Sequence, residues 1–158
     1  MILVAGIGNI FLSDDGFGSE VARRLASEPL PEGVRVLDVG IRGLHLAYEL
    51  LDGYDLLILV DALATGAAPG TVSVFEPEVD DLEPAVDAHG MDPATVLSTL
   101  KGLGGEVGRV LVVGCEPASL EEGMGLSPVV AQAVDAAVDA VRRLVARAVT
   151  PDAVSTTK

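Results

Sequence analysis

The chain's 158 residues carry 24 acidic against 10 basic side chains, a formal net charge of −14, and are 49% hydrophobic but only 3% aromatic. That balance supplies no basic stripe for a nucleic-acid backbone and no attraction to an anionic membrane surface; the charge reads as solubility. The length suits one domain with a proper core, the single cysteine excludes an internal disulfide, and no apolar run approaches the ~20 residues that cross a bilayer.

The elements alternate between strand and helix. Ile2–Ala5 reads as the first strand, and Gly18–Ser27 as an amphipathic helix with Val21, Ala22 and Leu25 on one face. Pro29 and Pro31 break the chain before a second strand, Val34–Leu37, which ends at Asp38-Val39-Gly40. A second helix, Leu44–Leu51, stops at Gly53. Leu56–Val60 is uninterrupted aliphatic, the pattern of a central strand buried on both faces, and Asp61 sits at its carboxyl end.

The link Ala62–Gly70 is too short for a crossover helix, so the next strand, Thr71–Phe75, is expected to run antiparallel at an edge. An acidic loop spans Glu76–Asp87, followed by a helix at Pro93–Leu100 and a fifth strand at Val110–Gly114. A long closing helix covers Ser127–Ala148, with Ser127 as N-cap and Pro128 in the first helical position. Residues 1–150 thus read as a single domain and Pro151–Lys158 as a frayed tail.

These elements predict an α/β fold: one three-layer domain with a twisted, mostly parallel five-stranded sheet and helices on both faces. Right-handed crossovers favour the order 2-1-3-5-4, with strand four antiparallel. Such a sheet has a topological switch between strands one and three, and ligands bind beyond the carboxyl ends of strands at such a point. The loop after strand one and Asp61 both lie there. With no basic leader segment ahead of the first core strand, the expected location is the cytoplasm.

The loop itself, Gly6-Ile7-Gly8-Asn9-Ile10-Phe11-Leu12-Ser13-Asp14-Asp15-Gly16-Phe17-Gly18, has the glycines of a phosphate cradle. A dinucleotide fingerprint needs a third glycine where Phe11 stands, and Asp14 with Asp15 would repel a pyrophosphate. The Walker pattern also fails, for there is no Gly-Lys-Ser/Thr. Carboxylates here favour a cation. Asp15, Asp61 and an imidazole would make a borderline divalent-metal site with positions left for substrate.

Of the two histidines, His89 lies in a loop ahead of the third helix that can reach this end of the sheet. His45, inside an amphipathic helix, reads as a surface or packing residue. Asp14 reads as a loop-bracing residue and Asp38 as a possible support. A carboxylate closing an aliphatic strand, as Asp61 does, costs desolvation unless something compensates it. Cys115, at the end of strand five among Glu116, Glu121 and Glu122, lacks the electropositive setting of a nucleophile and reads as a small buried hydrophobe. No Gly-x-Ser-x-Gly elbow or His-Glu-x-x-His helix occurs.

Gly6-Ile7-Gly8-Asn9 with Asp14-Asp15-Gly16-x-Gly18 resembles the opening signature of the hydrogenase maturation endopeptidases. The likeness continues through Asp38-x-Gly40-x-x-Gly43, Val60-Asp61-Ala62, His89, Gly114-Cys115-Glu116-Pro117 and Gly125-Leu126-Ser127-Pro128, in order along nearly the whole chain. Many members carry glycine where Val39 stands. The resemblance implies a cytoplasmic protease that removes a C-terminal extension from the precursor of a [NiFe]-hydrogenase large subunit. It also implies that Asp15, Asp61 and His89 recognise nickel already inserted in that precursor, so that the ion arrives with the substrate. Three other readings stay open at this level. The chain could be a non-proteolytic nickel checkpoint for the same precursor, a nucleotide-binding module built on the first loop, or a fold in which Asp61 and His89 merely pair in the core.

Overall fold

Alternation along the strands builds two cores on opposite faces of one sheet. In the computed structural model, which describes residues 1–77 and 93–149, β1 (Ile2–Ile7), β2 (Val34–Gly40), β3 (Tyr54–Ala62), β4 (Val72–Phe75) and β5 (Val107–Cys115) lie in the order β2-β1-β3-β5-β4. All pairs are parallel except β4 with β5. The predicted order and the antiparallel edge strand are both found. The acidic loop after Pro77, His89 and the tail from Thr150 onward lie outside the described residues.

On one face, Ile2, Val4, Leu56, Ile58, Val60, Leu111 and Val113 pack against α1 (Phe17–Ala26) and α4 (Pro128–Val149). The intervening positions, Leu3, Ala5, Ile7, Leu57, Leu59, Val110 and Val112, pack on the other face against α2 (Gly43–Leu50) and α3 (Pro93–Gly102). Period-two side-chain direction explains why strands with no polar alternation are required: both faces are covered.

The strands run further than their apolar stretches. β2 continues to Gly40 and β3 to Ala62, because the parallel ladder pairs Gly6 with both Asp38 and Val60, and Asp61 with Gly114. Polar end residues are thereby held at fixed register in the sheet.

Two glycines set how close α1 comes to the strands. A Cβ on Gly18 would stand 2.2 Å from the Val60 carbonyl oxygen and 2.4 Å from that of Ile7; one on Gly6 would meet the Gly18 oxygen at 2.1 Å. The opposing atoms are backbone and cannot swing away. Gly18→Ala is therefore expected to cost about 3 kcal/mol or more, a fall in Tm of roughly 6–12 °C, readable in a thermal melt. The glycines that suggested a phosphate cradle are consumed by contacts of the protein with itself.

Candidate active site

The carboxyl ends of β1, β2 and β3 are the floor of the site. The loop leaving β1 turns back at Gly8, whose φ of +137° and whose hypothetical Cβ, 1.8 Å from the Asp15 carbonyl oxygen, admit no side chain. Gly8 N–H donates to the Gly40 oxygen at 3.0 Å, tying this loop to the end of β2. A short 3-10 turn, Ser13–Gly16, then carries the two acids into α1. Ser13 sits at φ +52°, a left-handed conformation that a non-glycine residue adopts at a cost of order 1 kcal/mol.

Asp14 and Asp15 are adjacent in sequence and opposite in role. Asp14 is fully buried. Its carboxylate accepts N–H groups from Ala118 at 2.8 Å, Ser119 at 2.9 Å and Ser127 at 2.7 Å, and the Ser127 hydroxyl at 2.9 Å. Its own N–H donates to the Ser119 oxygen, and flanking ladders join Ser13 and Phe11 to Gly123. Burial alone would push the Asp14 carboxyl up, but the hydrogen bonds from Ser127, Ser119 and Ala118 outweigh it and hold the group below its ordinary value. Asp14 is an anion locked into structure, the brace expected from the sequence. Ser127 precedes α4 as expected, yet its hydroxyl donates to Asp14.

Asp15 is half-buried. Its Oδ2 accepts the Asn9 N–H at 2.8 Å, which fixes the carboxylate against the first loop. Asp61, at the end of β3, accepts the N–H of Ala62 at 2.8 Å. Burial, and then the negative charge of Asp15, hold the Asp61 carboxyl well above the ordinary range, with the Ala62 N–H opposing them. The fold thus brings the two carboxylates predicted from the sequence into one corner, where Asp61 is poorly solvated and the charge of Asp15 further disfavours its ionisation. A cation would relieve both. Among the described residues no three His, Cys, Asp or Glu side chains converge, and the predicted third member, His89, lies outside them.

The remaining candidates sort by surroundings. Asp38 supports: its Oδ1 accepts the buried Ser19 hydroxyl at 2.7 Å. His45 is exposed on α2, away from the core positions Leu46, Ala47 and Leu50. Cys115 is buried, and desolvation, with the charges of Asp14 and Glu116, pushes its thiol up to about 11, so it carries no thiolate at neutral pH.

Glu116 is the residue that sequence reasoning missed. It is buried and its Oε1 accepts the Thr65 N–H at 2.8 Å, the Thr65 hydroxyl at 2.7 Å and the Ala67 N–H at 3.2 Å. The Thr65 bonds hold its carboxyl below the ordinary value. It fastens the loop that leaves Asp61; the only hint in sequence is an acid inside the Gly-Cys-Glu-Pro stretch.

The family model for hydrogenase maturation protease matches residues 19–144, a span that includes Asp61 and His89 and begins just after Asp15. The chain belongs to the hydrogenase maturation protease family. The protease is 37% identical over 152 residues to the hydrogenase expression/formation protein HupD of Rhodobacter capsulatus, covering 90% of this chain and 70% of that one. It is 34% identical over 147 residues to the hydrogenase 2 maturation protease of Escherichia coli, covering 89% and 87% respectively. Among solved structures, the hydrogenase maturating endopeptidase HybD from E. coli superposes with a TM-score of 0.77 at 33% identity, over 89% of this chain and 88% of that one. The enzyme is accordingly an endopeptidase, and the five-stranded sheet with its antiparallel edge is the fold of that group. No helix among its described residues is long and apolar enough to cross a membrane.

Proposed function

We propose that this endopeptidase cuts a C-terminal extension from the precursor of a [NiFe]-hydrogenase large subunit, and that it reads the nickel in that precursor through Asp15, Asp61 and His89. The observation that carries the proposal is the pairing of Asp15 and Asp61: two carboxylates in mutual repulsion at the carboxyl ends of β1 and β3, one of them poorly solvated. Two oxygen donors and one imidazole suit a borderline divalent ion and are too few to hold it without ligands from the substrate. Precursor lacking nickel would then offer only part of the binding energy, which makes the metal a test of readiness. A substrate-borne Lewis acid beside the scissile carbonyl would polarise it or activate a water. Family membership supports the substrate class, and the cytoplasm is the compartment where such a precursor is made.

The test is direct. Purified precursor, with and without nickel, is incubated with the protease and its mass is followed. A C-terminal mass loss is expected only with nickel. Asp15→Ala and His89→Ala are each expected to abolish that loss with little change in Tm. Processing of nickel-free precursor at the same rate would overturn nickel recognition, and undiminished cleavage by both variants would overturn the site. A nickel checkpoint without protease activity predicts nickel-dependent binding and no mass loss.

A further inference from the structure

On the first-loop side of Asp15 the surface opens into a pocket of about 240 Å³ lined by Asn9, Ile10, Phe11, Asp38, Ile41 and Arg42 among others. That is smaller than the ~300–1,000 Å³ of sites that enclose a drug-sized ligand, and it suits one or two amino-acid side chains. One wall is the first loop and the other is the turn from β2 into α2, and the Gly8 N–H to Gly40 oxygen bond closes the seam between them. Asn9, on the first wall, donates its N–H to Asp15. A group seated in the pocket is therefore one residue away from the reactive corner.

The rim is apolar and exposed where solvation alone would favour polar residues. Phe11 is 61% and Ile41 62% exposed, and Ile10 stands with them at the mouth. Exposed apolar side chains grouped at the edge of a cleft mark a surface that is covered in use. The charges at the mouth offset one another. The Asp38 carboxylate is engaged by Ser19, while the Arg42 guanidinium donates from Nη2 to the Asp38 carbonyl at 2.9 Å and from Nε to the Val39 carbonyl at 3.2 Å. A cationic side chain entering the pocket would meet Arg42, and an anionic one would meet Asp38.

We infer that this pocket is a specificity subsite of the protease, which receives the apolar side chain of one of the two residues flanking the cleaved bond. Ile10 and Phe11 on one wall and Ile41 on the other are its specificity-determining residues. The inference rests on the proposed proteolysis. It adds that recognition of the precursor has a side-chain component separate from the metal. Nickel reports that the precursor is ready, and the pocket sets which bond lies at the carboxylate pair.

The experiment uses nickel-loaded precursors that carry Leu, Ala, Asp or Lys in turn at each of the two flanking positions, with kcat/KM read from the C-terminal mass change. At one of the positions Leu is expected to exceed Asp and Lys by about tenfold or more, the scale on which apolar pockets discriminate. Ile41→Asp and Phe11→Ser, both at exposed positions, should remove most of that preference while leaving the Tm and the requirement for nickel unchanged. Equal rates for all residues at both positions, a preference for Lys, or a Leu preference that survives both variants would each overturn the subsite while leaving the protease reading intact. Failure of the unsubstituted protein to cleave any nickel-loaded precursor would overturn the protease reading, and the subsite with it.

Discussion

Asp61→Asn is expected to abolish processing and at the same time to stabilise the free protein at neutral pH. The amide keeps the shape of the side chain and the oxygen that accepts the Ala62 N–H. It removes a charge that is disfavoured by burial and by Asp15. On the proposed reading, in which Asp61 faces the substrate's nickel, losing its charge removes several kcal/mol of transition-state stabilisation, a fall in rate of about 10³-fold or more. The relieved repulsion is of order 1 kcal/mol, a rise in Tm of roughly 2–4 °C.

The sign of the pH dependence follows from the same cause. The folded protein holds the Asp61 proton more tightly than the unfolded chain does, so this group's contribution to stability is fully present below the ordinary carboxylate range. It is lost as pH rises through the elevated folded value. The advantage of Asp61→Asn should thus be absent near pH 3, where both side chains are neutral, and largest at pH 7 and above. Calorimetric melts across that range, with processing assays on nickel-loaded precursor, test both halves. A variant that melts lower than the parent at pH 7 would show that the pair is not repulsive.

Asp14→Ala is expected to do the reverse: to act on stability first. It would strand three backbone N–H groups and a hydroxyl that the buried carboxylate now accepts. Each buried donor left unpaired costs about 1–3 kcal/mol, so even with partial rehydration the loss should reach about 3–5 kcal/mol, or roughly 6–20 °C in Tm. That is a large share of the ~5–15 kcal/mol that holds a typical domain together.

Here the carboxyl is lowered in the folded state, so its contribution is present above the ordinary carboxylate value and is lost as pH falls through the lower folded one. The difference in Tm between parent and Asp14→Ala should accordingly shrink below about pH 4. Denaturant unfolding at pH 7 and pH 3 measures it. A loss under 1 kcal/mol at pH 7 would mean that the loop after β5 satisfies its donors elsewhere.

These two expectations separate neighbours that the sequence presents as a matched pair. Asp14-Asp15 reads as two acids in a turn, and the braced role of the first was inferred from residue type alone. What divides them is the arrival of the 118–127 segment, over a hundred residues away along the chain, with its N–H groups aimed at one carboxylate and not the other. Glu116 and Ser19 show the same limit: each is conspicuous only once Thr65 or Asp38 is placed beside it.

The sequence by itself determined the order and type of the elements, the strand order, the antiparallel edge and the location of Asp15 and Asp61 at one end of the sheet. It could do so because those features follow from apolar periodicity, from the length of the connections and from the fixed hand of crossovers, all of which are local or topological. Tertiary structure alone decided how far β2 and β3 extend, which glycines are consumed by backbone contact and which acid is solvated. It also decided that a pocket stands on the first-loop side of Asp15. Each depends on partners brought from remote segments to within hydrogen-bond or van der Waals distance, and desolvation and hydrogen bonding are properties of that assembled environment, not of any residue's own type.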